Sequence, residues 1–181
     1  MSRIAVPARD DAPAASQPIL DAVNKQLGVV PNLFRLAALS PAALAGMTGL
    51  SSALAKTLDV KTRERIAIAT AQVNGCDYCL SAHSYLAKNL AKLDDAEIAA
   101  NRLGHSNDPK ADAAVAFAAK VVRERGHVNE DALRAVKLAG YDDAQVIEIV
   151  LHVGLNTWTN YINSVAATDI DFPVVTVGKA A

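Results

Sequence analysis

At 181 residues the chain is long enough to bury the core of one domain and short for two. It is 51% hydrophobic but only 4% aromatic and rich in alanine, which favours close-packed helices over a β-sandwich. A formal net charge of −1 gives no electrostatic case for nucleic acid or an anionic membrane, and no apolar run approaches the ~20 residues of a membrane span.

Residues 1–15, rich in Ala, Pro and Asp, predict an extended arm that packs on a neighbouring subunit or frays. They hold no apolar segment of the secretory kind, so the expected location is the reducing cytoplasm. Ser16 as cap, Pro18 in the first turn and Gly28 as stop predict a short helix over 17–27. Pro31 starts a second over 32–39. Ser40-Pro41 caps and begins a third, to about residue 55. Residues 59–62 lead into a helix over 62–73 with Ile66, Ile68, Ala69 and Val73 at helical spacing. Asn74-Gly75 stops it, and a further helix runs over 76–90 with Leu80, Leu86 and Leu90. Asp94 and Glu97 form a capping-box variant for a short helix to about residue 102. Pro109 begins a long helix ending at Gly126, with Val115, Ala118 and Val122 on its buried stripe. Asn129 caps another, closed by Gly140, and Asp142 with Gln145 caps the last, to about residue 167. In the tail, Val174 to Val177 is a candidate extended segment, and one such run does not make a sheet. The expectation is an all-α fold: an arm at 1–15, one helical domain at 16–175 and a tail at 176–181.

The chemistry concentrates in E-R-I-A-I-A-T-A-Q-V-N-G-C-D-Y-C-L-S-A-H, residues 64–83. It holds both cysteines, Cys76 and Cys79, as C-x-x-C, with His83 four residues further on. At ~100° per residue, Cys76, Cys79 and His83 share one helix face, and Cys79 and His83 are an i, i+4 pair. If the two helices fold back antiparallel at Gly75, counting places Glu64 beside His83 rather than Cys76. A chain Glu64 to His83 to Cys79 results, with Cys76 one turn above. Such residues suit thiol redox chemistry. The thiolate is the nucleophile, an adjacent imidazole takes its proton and a carboxylate orients the imidazole. A second cysteine traps an oxidised first one as a disulfide. Asp77 opposes a helix-terminal thiolate as a like charge.

This spacing resembles the AhpD-like alkylhydroperoxidases of the carboxymuconolactone decarboxylase superfamily. The run C-D-Y-C-L-S-A-H fits that core, and V-P-N-L-F-R at 30–35, L-N-T-W-T-N-Y-I-N at 155–163 and D-F-P at 171–173 look like its peroxidase-related branch. The likeness covers roughly residues 16 to 175. It implies an AhpD-like helical fold with a central hairpin, a peroxide substrate, an external dithiol reductant of lipoyl or thioredoxin type, no cofactor, and a homo-trimer or homo-hexamer. It also implies that Cys79 attacks, Cys76 resolves, and His83 and Glu64 relay protons. Magnitudes agree with that division. A helix N-terminus stabilises a thiolate at Cys76 by ~0.3–1 kcal/mol, whereas an adjacent base contributes ~10²–10⁴-fold in rate, and His83 lies nearer Cys79. Tyr78 departs from the pattern: it precedes Cys79 where some members have a second histidine, and any relay through that position stays open.

Rival readings stand beside this one. A structural zinc needs four ligands; Cys76, Cys79 and His83 offer three, with Glu64 a conceivable fourth, and His105, His127 and His152 sit in no metal-like spacing. A thioredoxin fold wants a βαβ context absent here. A plain buried cysteine pair explains neither His83 nor Glu64. Within the same fold, a decarboxylase-type enzyme using His83 as general base, or a non-catalytic redox-sensing oligomer, remains an alternative. Arg63-Glu64-Arg65 reads otherwise as a mixed-charge surface turn, Tyr78 as packing beside the cysteines, and His152, Asn156, Trp158 and Tyr161 as packing or pocket lining.

Overall fold

The computed structural model describes residues 2–178. Every regular element among them is a helix: α1 Gln17–Leu27, α2 Asn32–Ala37, α3 Pro41–Leu54, α4 Val60–Asn74, α5 Asp77–Asn89, α6 Asp95–Arg102, α7 Pro109–Arg123, α8 Glu130–Leu138 and α9 Asp143–Ala166. The part of the expected arm at residue 1, and of the tail at 179–181, lies outside the described residues.

α4 is the hub. Seven consecutive residues, Arg65 to Ala71, are buried, so the helix has no solvent face and sits among α5, α6, α7 and α9. Three of the seven are alanines, which let neighbouring backbones approach closely. Ile66 packs with Phe117 and Val121 of α7 and with Val146, Ile149 and Val153 of α9. Ile68 and Ala71 face the cysteines, Tyr78 and Leu80. Asp59 opens α4, its carboxylate accepting from the amides of Lys61 and Thr62. Gly75 closes it at φ 72°, a left-handed conformation that costs any residue with a Cβ. Two residues later α5 begins, so the expected hairpin forms.

Several expectations change in detail. Ser16 makes no side-chain cap; its Oγ instead donates 2.7 Å to the carbonyl of Ala38, joining α1 to the end of α2. Asp94 caps α6, but Glu97 does not reach back to complete a box. Its carboxylate turns inward to Arg65 Nε at 2.6 Å, and Arg65 is therefore buried rather than part of a surface turn. The capping box of Asp142 and Gln145 forms in full. The segment 174–177 makes no strand. It is a strap across α5: Ser81 Oγ accepts from the Val175 amide and donates to its carbonyl, and the Val177 amide donates to Asp77. The N-terminal arm folds back on its own chain. Arg9 pairs with Asp21, the Arg3 amide donates to the Ala166 carbonyl, and Ala12 is buried against Leu20 and Leu44.

Candidate active site

Cys76 is the N-cap of α5, and its Sγ accepts from the Cys79 amide at 3.3 Å. Cysteine seldom caps a helix, so this placement brings the two sulfurs of a C-x-x-C together at the helix end. Both cysteines are free thiols and only 2% exposed. On the far side, Asn163 of α9 donates through Nδ2 to Cys79 Sγ at 3.3 Å. Asn160, one turn earlier, is fully buried, and its Oδ1 accepts from Asn74 Nδ2 at 2.9 Å.

These contacts separate the two thiols. The bond from Cys76 lowers the Cys79 pKa first; burial opposes it, and the amides of Asn160 and Asn163 and the charge of His83 support it, giving about 6. The Cys76 thiol moves strongly upward because it donates to Cys79 and is buried. These contacts favour ionisation at Cys79 over Cys76. The helix N-terminus does not decide the matter.

His83 and Glu64 meet as the residue count implied: His83 Nδ1 donates to Glu64 Oε2 at 2.9 Å. Burial disfavours a charge on the imidazole, yet the Glu64 carboxylate outweighs it and raises the pKa, with Cys79 adding to the effect. Because Nδ1 is held by Glu64, Nε2 is the nitrogen left to exchange a proton with a reacting group. The four sequence-derived residues therefore come together, in the order Glu64, His83, Cys79, Cys76. Among the described residues no group of three His, Cys, Asp or Glu side chains is disposed to hold a metal ion.

Tyr78 closes the floor of the site. It is 4% exposed, its OH accepts from the Leu33 amide at 3.0 Å, and its ring meets Phe172 edge-on at 5.9 Å. It thus joins the V-P-N-L-F-R segment and the D-F-P segment to the cysteine helix. His152 is buried on α9, and burial with the charge of Arg63 pushes its pKa down to about 4. Asn156 donates to the His152 carbonyl, and Trp158 is 38% exposed. Two open surface clefts, of about 480 and 500 Å³, are lined by residues around Arg65 and Glu97 and by α8; neither includes a cysteine. The thiols sit instead in a closed seam between α4, α5 and α9.

Sequence reasoning missed Asn160 and Asn163. Their signal was present: Asn156, Asn160 and Asn163 recur at helical spacing on one face of an otherwise apolar helix, where an amide is out of place without a partner.

Residues 41–124 match the carboxymuconolactone decarboxylase family. The match spans α3 to α7 and contains Glu64, both cysteines and His83. The chain superposes on an AhpD core, an uncharacterized peroxidase-related protein from Ralstonia eutropha JMP134, with a TM-score of 0.83 and 23% identity over 94% of this chain and 92% of that one. The fold is AhpD-like. A peroxidase-related protein from Silicibacter sp. TM1040 is similar to the AhpD-like chain at a TM-score of 0.79, with 24% identity over 93% and 91% of the two chains. So is a cysteine-to-alanine variant of the debrominase Bmp8 in complex with 2,3,4-tribromopyrrole, at 0.79, with 21% identity over 94% of each. No curated protein sequence matches significantly. The AhpD-like fold thus hosts more than one chemistry, and the site must argue its own.

Proposed function

We propose that this chain is a thiol-dependent peroxidase that reduces hydrogen peroxide or small alkyl hydroperoxides. The observation that carries the reading is the Cys79 sulfur, held as a thiolate between Cys76 and Asn163 with the His83–Glu64 pair beside it. Cys79 Sγ attacks the terminal peroxide oxygen; the S–O bond forms and the O–O bond breaks. The alkoxide leaves with a proton from the His83 imidazolium, whose charge Glu64 sustains. Cys76 Sγ then attacks the Cys79 sulfenic acid, the disulfide forms and water departs. An external dithiol, of lipoyl or thioredoxin type, takes the oxidation by thiol–disulfide exchange and restores both thiols.

Both sulfurs are 2% exposed, which favours small peroxides over bulky ones. A carbon-acid reaction with His83 as general base is less well supported, because it leaves the paired cysteines beside His83 without a role. The debrominase likeness supports one further reading of the same dithiol, as a two-electron donor to an aryl halide. Incubating the reduced protein with stoichiometric peroxide or with bromopyrrole, and titrating free thiols, separates the two. Loss of two thiols per peroxide is the expected result; loss with the halide alone overturns the peroxidase reading.

The site would work in a reducing compartment, the cytoplasm, where a cycling dithiol is regenerated. The chain would assemble as a homo-trimer or homo-hexamer. Support comes from the outer face of α9, where Ile147, Val150, Leu151, Trp158, Tyr161 and Val165 are all exposed.

A further inference from the structure

The two amides beside Cys79 are not equivalent. Asn163 Nδ2 is spent on the sulfur. Asn160 Nδ2 has no hydrogen-bond partner, although the residue is fully buried. A buried donor left unmade is costly, and native interiors rarely carry one without a use. Its orientation is fixed from behind. Asn74, the last residue of α4, donates through Nδ2 to Asn160 Oδ1 at 2.9 Å and to Thr157 Oγ1 at 3.3 Å. With its oxygen held by Asn74, the Asn160 amide must turn its NH₂ the other way. That way lies Cys79, whose thiolate the Asn160 amide favours. An oxygen there would repel the sulfur instead.

We propose that Asn160 is a catalytic hydrogen-bond donor, which binds the peroxide oxygen that Cys79 takes up, and that Asn74 is the residue that positions it. The inference rests on the peroxidase reading and deepens it. As the S–O bond forms and the O–O bond breaks, negative charge passes from sulfur through the two oxygens. The waiting Nδ2–H meets the transferred oxygen, while His83 supplies a proton to the departing one. In the resting protein this donor lies near the sulfur without a hydrogen-bond geometry, and it makes a full bond only as the oxygen arrives, which is the condition for lowering a barrier rather than tightening binding. The same bond then holds the sulfenic acid in place for Cys76. Neither Asn160 nor Asn163 lies within the matched family segment, which ends at residue 124.

The test compares two reagents that both require the Cys79 thiolate. Hydrogen peroxide needs a donor for its oxygen; iodoacetamide does not. Single-turnover rates are measured for both at one pH, 8.5, on the Cys76→Ser background, so that one thiol reacts and its ionisation is common to both reagents. Asn160→Ala is expected to slow the peroxide reaction about 10²-fold and to change alkylation less than about threefold. Asn74→Asp leaves the Asn160 side chain intact and replaces the donor behind it with a carboxylate. The amide then turns its NH₂ towards Asp and away from Cys79, so the same selective loss is expected, and the result stands even where Asn160→Ala folds poorly. Equal losses with both reagents, or no loss with either, overturn the proposal. A parent protein that reacts with iodoacetamide but not with peroxide overturns the peroxidase reading itself, independently of Asn160.

Discussion

A thiol becomes a nucleophile only when its proton has somewhere to go and its charge has a counterweight. Cys79 has four supports: a donor thiol at Cys76, the amides of Asn160 and Asn163, and the His83 charge. Its pKa falls from the ordinary 9.0 to about 6. The reactive form therefore predominates above pH 6 and is lost as pH falls below it. The rate of the first turnover with peroxide should rise with pH, reach half its plateau near 6 and stay flat to about 8. Asn163→Leu should move that midpoint upward, because the sulfur loses a donor while burial remains. A midpoint unmoved by the substitution, read from stopped-flow rates, would mean the amide only packs. Glu64 acts one step away, through His83. Glu64→Gln keeps the shape but removes the charge that holds the imidazole up. Peroxide turnover should fall by about 10²-fold at neutral pH, with the circular dichroism spectrum unchanged. Turnover equal to wild type would take the relay out of the account.

The hairpin of α4 and α5 is where local signals suffice. Asn-Gly at 74–75, the helical spacing on either side and a count of residues back from the turn place Glu64 against His83 from the sequence alone. The Asp142–Gln145 box was legible for the same reason: its partners are three residues apart. Glu97 was not. As N3 of α6 it looked like a capping residue, but it serves tertiary structure. Burial would raise its pKa, yet Ser106, Asn107, Asn101 and Arg65 donate to it and bring it down to about 2. Three of those four donors come from outside α6, and no short-range pattern announces them. This knot ties α4 to α6 and the loop before α7. Glu97→Ala should cost about 3–5 kcal/mol in urea unfolding, because Arg65 is left buried and unpaired; a loss under about 1 kcal/mol would show the knot to be dispensable. The wild type should also lose stability in acid. Glu97 has its folded pKa below the ordinary 4.5, so its contribution is present above pH ~4.5 and disappears as pH falls towards 2. His152, held neutral with a folded pKa near 4, adds to the loss below its ordinary 6.5.

At the scale of the molecule, the all-helical architecture followed from composition, caps and stops, whereas the path of the two termini did not. The arm was expected to leave the chain; instead Ser2 and Arg3 meet the end of α9 and Arg9 meets α1. The tail offered only a candidate extended segment at 174–177; it straps α5, with Phe172 against Tyr78 and Tyr85. Apart from Arg9 with Asp21, such contacts join residues distant in the chain, up to 167 positions for Ser2 and Asp169, and only packing selects them. The amides of α9 belong to the same class, since their purpose appears only when α5 lies opposite. What remains uncovered is the outer face of α9. Its stripe from Ile147 to Val165 supports a homo-oligomer, for which the area is apolar and continuous along the helix. Light scattering at micromolar concentration should give a trimer or hexamer. Trp158→Lys, which places a charge in the middle of that stripe, should shift the mass towards the monomer while the thiols still titrate. A wild-type monomer would contradict this assignment and leave the stripe for another partner.

The central claim is the division of labour between the two sulfurs, and one measurement addresses it: the peroxide consumed per chain, and the sulfur product formed, by Cys76→Ser and by Cys79→Ser without added reductant. Cys76→Ser retains the Asn163 donor and the His83–Glu64 pair around Cys79. It is expected to consume one equivalent and stop at a sulfenic acid, trapped with dimedone and located on Cys79 by mass spectrometry. Cys79→Ser keeps only Cys76, which has neither the Asn163 donor nor the His83 charge among its supports, and is expected to consume almost none. A sulfenic acid on Cys76 in Cys79→Ser, with Cys76→Ser inert, would contradict the account and reverse the roles.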